Sequence, residues 1–401
     1  MALLPVSEAL QRLLDGAAPG EAETVPLAEA AGRVLAEPVM ALRTQPPFDA
    51  SAMDGYAVRA ADVAKVPVQL EIIGAAPAGR RFDGKVEPGQ AVRIFTGAPM
   101  PEGADTIVIQ ENTSSVGENG VEVTETVAAG RHIRRKGLDF AEGDRLLEPG
   151  RVLDAAALSL AASANHAALR LVRRPLVAII ATGDELLPPG SEPGPDQIIA
   201  SNAFGVAAIA QSVGARVLDL GIAPDRREAI SALVQEAMEA HADVIVTLGG
   251  ASVGDHDFIH DVLTGEGMAL DFWKIAMRPG KPLMFGRLGG TRCLGLPGNP
   301  VASLVCSHLF LKPLVARLGG RPYQPDMRQA VLGTALPAND MRQDYIRAVV
   351  DAGPDAPVAT PFRVQDSSML RIFADANALI VRQPLAAAAD AGAPCDVLML
   401  R

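Results

Sequence analysis

Apolar residues recur three and four apart in PVSEALQRLLD (5–15), the spacing of one buried helix face, and Ser7 is placed to cap its start. A second short helix is expected over 27–36. From 46 to about 145 the pattern changes. VPVQLEIIG, QAVRIFTG, DTIVIQE and GVEVTETV are short, rich in β-branched residues and separated by Gly, Pro and Asp, which predicts a β-rich insert. Helical spacing returns in DAAALSLAASA (154–164). Packing of that helix on 5–15 would make the flanking pieces one domain, interrupted by the insert.

Residues 175–316 alternate between the two periodicities. Apolar runs at 175–181, 215–223, 243–248 and 291–296 read as buried strands. Between them lie helical patterns, among them an amphipathic stretch at 225–241 with Asp225 as its cap, and a final helix from PVASLVCSHLFLKPLV. Strands alternating with such helices predict a mostly parallel, doubly wound α/β sheet with right-handed crossovers. After GGRPYQP the chain turns to closely spaced strand patterns, as expected of a small C-terminal β-barrel. The fold class is therefore α/β plus β, in four parts. These are a helical linker domain (1–45 and 143–173), a β-rich insert (46–142), an α/β domain (174–322) and a barrel (323–401).

Composition narrows the function. A chain of 401 residues is too long for one core. A net charge of −11 argues against nucleic acid as partner, while leaving room for an anionic small molecule held by a local cluster of donors. Cys293, Cys306 and Cys395 form neither a disulfide framework nor a zinc motif, and Cys306 sits in an apolar run as a core residue. MALLPVSEAL has no signal-peptide pattern, and no apolar run is expected to reach the ~18–20 residues a membrane span needs. A cytoplasmic protein is expected.

Ligands of open α/β sheets bind beyond the carboxyl ends of the strands. Three loops here suit that position: ATGDELLPPG, TLGGASVGDHDF and GLPGNPVAS. In the second, Gly249, Gly250, Ser252 and Gly254 form a candidate phosphate or pterin cradle, and Asp255 and Asp257 are candidate Mg²⁺ ligands. A plain Gly-rich turn with an acidic helix cap is the competing reading. His256 and His260 stand four apart without the rest of a metal motif, and surface histidines explain them better. Lys274, Arg278 and Lys281 concentrate positive charge in an acidic chain and suit an oxyanion, with a solvated basic hairpin as the competing reading. Asp184 and Glu185 follow a buried strand as ligand or metal contacts, with helix capping as the alternative for Asp184. Arg131, Arg134, Arg135 and Lys136 form a basic run that reads as a solvated face, with contact to a phosphate from a neighbouring domain as the alternative. PPFDASAMDGYAV (46–58) places Asp49 and Asp54 among small residues behind a stiff entry. No nucleophile motif is present, so the chemistry expected is electrostatic and metal-assisted.

FDASAMDGYAV, IFTGAPMPEGADTIVIQE, ATGDEL, GGASVGDHD, WKIAMRPGKP and GLPGNPVAS occur in this order, and together they resemble the molybdopterin molybdenumtransferase family (MoeA, and the E domain of gephyrin-type proteins). The likeness runs from about residue 5 to the C-terminus. It implies the last step of molybdenum cofactor synthesis: Mg²⁺-dependent insertion of molybdate into adenylylated molybdopterin, with release of AMP. It also implies an elongated homodimer, with the cleft between the α/β domain of one subunit and the insert of the other, and leaves room for docking of other molybdenum cofactor assembly proteins. On that basis Asp54 and Thr96 come from one side. Glu185, Asp225, Asp257, Lys274, Arg278 and Lys281 come from the other, with Pro297, Gly298 and Pro300 shaping the wall. Asp54, Glu185 and Asp257 are the implied metal residues, and Ser367 matches a family serine. Arg278, Ala50 and Ser368 depart from the family's usual Lys, Asn and Gly. Two other readings are a molybdopterin adenylyltransferase, which shares the GGxSxGxxD loop, and a non-catalytic scaffold.

Overall fold

A computed structural model describes residues 3–249, 258–353 and 355–401. A six-stranded sheet forms its centre, in the spatial order Arg216–Ala223, Leu176–Thr182, Val244–Leu248, Thr291–Leu296, Met284–Leu288, Ala269–Phe272. The first four strands are parallel and the last two antiparallel. Val244–Leu248 is buried at every position, as an apolar run covered on both faces must be. One face carries Asn202–Ser212 and Pro300–Leu318, and the other carries Arg227–Glu239 and Phe258–Gly265. The parallel sheet is therefore doubly wound, as the alternating pattern predicts.

Helix Val6–Leu14 departs from expectation. Its apolar face packs into the α/β core against the C-terminal part of Pro300–Leu318, and not on helix Ala155–Ser163. Amphipathic spacing fixes which face is buried and is silent about the partner. Leu13 is fully buried there, so Leu13→Ala is expected to cost about 2–5 kcal/mol, read by chemical denaturation. Pro5, not Ser7, occupies the N-cap, and no side chain caps this helix. Residues 27–36 hold only a 3₁₀ turn, Leu27–Glu29.

Ala22–Pro26 pairs antiparallel with Ala168–Val172, and Val39–Met40 with Arg145–Leu147, around a core that includes Leu35, Leu153 and Ala157. Asp154 caps Ala155–Ser163 by accepting the Ala157 N–H at 2.8 Å. The chain between these pieces builds a second six-stranded sheet, ordered Thr106–Ile109, Gly55–Val58, Gln90–Ile94, Val68–Ala76, Gly120–Val123, Thr113–Val116, with an apolar core on each face.

At the C-terminus Gln343–Asp351, Val358–Pro361, Met327–Leu332, Pro394–Met399 and Ala378–Arg382 close into a five-stranded barrel. Met277–Arg278 adds to the barrel sheet beside Gln343 and Asp344, tying it to the α/β unit. Tyr345, Leu379 and Val381 of the barrel join the α/β core. Pro300–Leu318 is a 19-residue helix long and apolar enough for a membrane span, which the sequence reading did not single out. It is 72% buried over its most apolar stretch, as the core helix of this sheet. Cys306 lies within it, fully buried, and burial drives its thiol pKa far up, leaving it inert.

Candidate active site

A cleft of ≈ 690 Å³ opens at the carboxyl ends of three parallel strands. The order of the parallel strands reverses direction between Leu176–Thr182 and Val244–Leu248, so the cleft occupies the topological switch point. Its floor is backbone. A Cβ on Gly249 would lie 2.8 Å from the Thr182 carbonyl oxygen, and one on Gly298 would lie 3.7 Å from Gly249 Cα. Gly249 also has φ +98, so both its conformation and its surroundings exclude a side chain. Three strand ends can therefore converge closely on a ligand.

Polar groups surround this floor. Glu185 and Asp225 both line the cleft. Asp184 accepts the Asp225 N–H at 3.0 Å, so it joins two strand-end loops and is not a cap of its own segment. Helix Arg227–Glu239 begins after Arg226, with no side-chain cap, so Asp225 is not its cap. Pro297, Gly298 and Pro300 form the third wall, fixed by Asn202 Nδ2 donating to the Gly298 carbonyl at 2.8 Å. Gly250, Ser252, Gly254 and Asp257, together with Asp255 and His256, lie outside the described residues. His260 stacks on Trp273 with ring centroids 4.5 Å apart and contacts Asp261. Among the described residues, no group of three or more His, Cys, Asp and Glu is gathered to hold a metal.

The barrel reaches the same cleft. The Ser367 carbonyl accepts the Val301 N–H at 3.0 Å, capping the start of Pro300–Leu318, while Ser368 lines the wall. Ser367 thus contributes backbone here. The loop is held from behind: buried Arg347 donates to the Asp366 carbonyl at 3.0 Å, and Asp366 accepts from Ser368 N–H and Oγ at 2.8 and 2.6 Å. The basic stretch divides. Arg278 is spoken for: its guanidinium pairs with Asp344 and with Asp340 of the barrel, and the Asp344 hydrogen bond raises its pKa. Pro282, next to exposed Lys281, lines the cleft. Lys274 and Lys281 are in no ion pair among the described residues; the Lys281 carbonyl accepts the Ile275 N–H at 3.0 Å, folding the stretch back on itself.

The insert separates the two acids of PPFDASAMDGYAV. Asp49 is structural: it accepts from Arg135 Nη1 at 2.7 Å and from the Lys136 N–H at 2.8 Å. These bonds, the backbone one first, lower its pKa, and they use Arg135 of the basic run. Asp54 Oδ1 accepts from Thr96 twice, from its N–H at 2.7 Å and from its Oγ1 at 2.9 Å. That pair lowers the Asp54 pKa and leaves the carboxylate exposed and ionised. Arg93, which the sequence reading missed, lies over the rings of Tyr56 and Phe95 at 5.0 and 5.2 Å and donates to Gln110 Oε1 at 2.7 Å. The Gln110 N–H binds the Asp54 carbonyl at 3.1 Å, so Arg93 braces the backbone behind the acid. Alternation along RIF was the available signal for its place beside Phe95, while its place over Tyr56 depends on strand register. Among the described residues, none of the insert lines the cleft of the α/β unit.

Residues 4–165 match the family model described as MoeA N-terminal region (domain I and II), residues 178–317 that of a probable molybdopterin binding domain, and residues 329–400 that of MoeA C-terminal region (domain IV). A molybdopterin molybdenumtransferase of Bacillus subtilis is 36% identical over 99% of this chain and 94% of its own length. The chain belongs to the molybdopterin molybdenumtransferase (MoeA) family. Molybdopterin molybdenumtransferase 2 of Mycobacterium tuberculosis is 38% identical over 89% of this chain and 90% of that protein. The crystal structure of a molybdopterin biosynthesis MoeA protein from Pyrococcus horikosii superposes with a TM-score of 0.86, at 28% identity and 100% coverage of both chains. Together the three family models span the linker, insert, α/β unit and barrel.

Proposed function

We propose that this chain is a molybdopterin molybdenumtransferase, inserting molybdenum from molybdate into adenylylated molybdopterin with release of AMP. The observation that carries this reading is the family match across all three regions of a chain whose cleft lies at the switch point of the molybdopterin-binding-type sheet. The backbone floor at Gly249 and Gly298 admits a bulky ligand close to three strand ends. Lys281, next to Pro282 of the wall, supplies positive charge for phosphate and molybdate oxygens, Lys274 is a further candidate, and Arg278 fastens the barrel wall through Asp344. Glu185 and Asp225 are a donor set suited to Mg²⁺, which takes one or two carboxylates and shares substrate phosphates, and Asp257 is its third candidate ligand. Mg²⁺ supplies charge neutralisation at the phosphates when bound.

Asp54 and Thr96 are exposed and stand apart from this chain's own cleft, which supports a homodimer in which each insert completes the site of the other subunit. The division into linker, insert, α/β domain and barrel at the boundaries given above belongs to the same proposal, as does a cytoplasmic location. The test is AMP release. Purified protein given adenylylated molybdopterin and Mg²⁺ is expected to release AMP only when molybdate is added, and to yield cofactor that activates an apo-molybdoenzyme. Tight nucleotide binding without release at any molybdate concentration would establish a scaffold instead.

A further inference from the structure

The amino-terminal edge of the central sheet, at the opposite end from the cleft, gathers arginines. Arg173 and Arg174 precede strand Leu176–Thr182, and Arg216 opens the neighbouring strand, its N–H bonded to the Pro175 carbonyl at 2.8 Å. Arg321 follows the two glycines that end Pro300–Leu318 and donates from Nη2 to the Gly32 carbonyl at 2.6 Å. Arg174, Arg216 and Arg321 line one cavity of ≈ 560 Å³ together with Gln211, Gly32 and Gly214. Gly214 has φ +98, a backbone conformation that favours glycine, and it lies against the Arg321 guanidinium.

Glu23 and Glu29 line an adjoining cavity with Arg174 and Arg216, but arginines outnumber carboxylates in this corner. Arg33 is paired with Glu23, and Arg173 is held by both oxygens of Asp243 at 3.1 and 2.7 Å. Arg174, Arg216 and Arg321 have no carboxylate partner among the described residues. Arg321 Nε is buried without a hydrogen bond, and desolvation, then the charge of Arg174, lowers the Arg321 pKa. Burying a donor of a charged group unpaired is costly, and so is holding two guanidiniums near each other. An anion between the guanidiniums would offset their mutual repulsion. The chain as a whole carries −11, so no general field explains a cationic cavity here.

We propose that this cavity is a second oxyanion site, formed by Arg174, Arg216 and Arg321, that takes a tetrahedral dianion of the phosphate class, free or as the phosphate group of a small ester. Forked guanidiniums match such an anion bidentately, and the polar walls suit it better than an apolar ligand. The site is separate from the cleft, and it stands or falls independently of the transferase reading.

The experiment is calorimetric titration of the full-length protein with inorganic phosphate, at constant ionic strength, alongside the double variant Arg174→Gln/Arg216→Gln. The two residues are exposed and lack ion pairs among the described residues, so the variant is expected to melt like the parent. One saturable phosphate site is expected in the parent, weakened at least about tenfold in the variant, with molybdate-dependent AMP release unchanged. Titration with glycerol 3-phosphate assigns the source: tighter binding than phosphate through the same arginines marks an ester, equal or weaker binding a free oxyanion. No saturable binding in the parent, or binding equal in the variant, overturns the proposal. So does a variant whose only change is its sedimentation behaviour, which would make the arginines a contact between copies.

Discussion

Asp54→Asn is expected to lower molybdate-dependent AMP release by about a hundredfold or more while leaving the melting temperature of the protein close to that of the parent. The amide oxygen of asparagine can still accept from the Thr96 N–H and Oγ1, which hold the carboxylate at 2.7 and 2.9 Å. The loop therefore keeps its geometry, and only the negative charge is removed. The charge is present throughout the physiological range. The Thr96 backbone N–H first, and its hydroxyl second, lower the folded pKa below 3.8. A group whose folded pKa is depressed stabilises the fold above its unfolded pKa, and that contribution is lost only as pH falls through the folded value. An acid limb in the pH–rate profile above about pH 5 thus belongs to another group, and Asp54→Asn should lower the whole profile without moving such a limb. Full activity in Asp54→Asn would remove Asp54 from the reaction. A collapse in melting temperature would make it structural, like Asp49.

The contrast between the two acids marks how far the sequence can be read. PPFDASAMDGYAV shows paired carboxylates on a stiff, small-residue loop, but their roles depend on residues 86 and 42 positions away, Arg135 and Thr96. The central sheet was legible because strands buried on both faces read as apolar runs, and the cleft followed from the loops at their ends. Contacts set by long-range packing were not. Nothing in WKIAMRPGKP tells that Arg278 meets Asp344 of the barrel, 66 positions on. Nothing in VQDSSML tells that the Ser367 carbonyl caps the helix at Val301. The N-terminal helix shows the same limit: its apolar face was plain, and its place in the α/β core was not. Arg174, Arg216 and Arg321 are also unremarkable singly; only the parallel pairing of two strands and the end of one helix bring them to one cavity.

The residue after Asp54 carries the second large effect. A Cβ built on Gly55 would lie 2.0 Å from the Val108 carbonyl oxygen, 2.9 Å from its carbon and 3.0 Å from Ile109 Cα. All three are backbone atoms of the paired strand Thr106–Ile109, so no side chain can turn aside to make room. Glycine inside a strand marks this kind of close approach. Gly55→Ala must push the two strands apart, at a cost near or above the top of the usual overpacking range of about 1–3 kcal/mol. Because Gly55 follows Asp54, and Gly55 O and Asp54 O hold Arg93 and Gln110, the shift also displaces the carboxylate. The damage should stay within the insert. Trp273, the single tryptophan, lies in the α/β unit, so its emission should be unchanged while circular dichroism shows an early transition for the insert and AMP release falls with Asp54 misplaced. Parent-like melting and activity in Gly55→Ala would mean that the two strands are not held this closely. An early shift in Trp273 emission would mean that the insert and the α/β unit unfold as one.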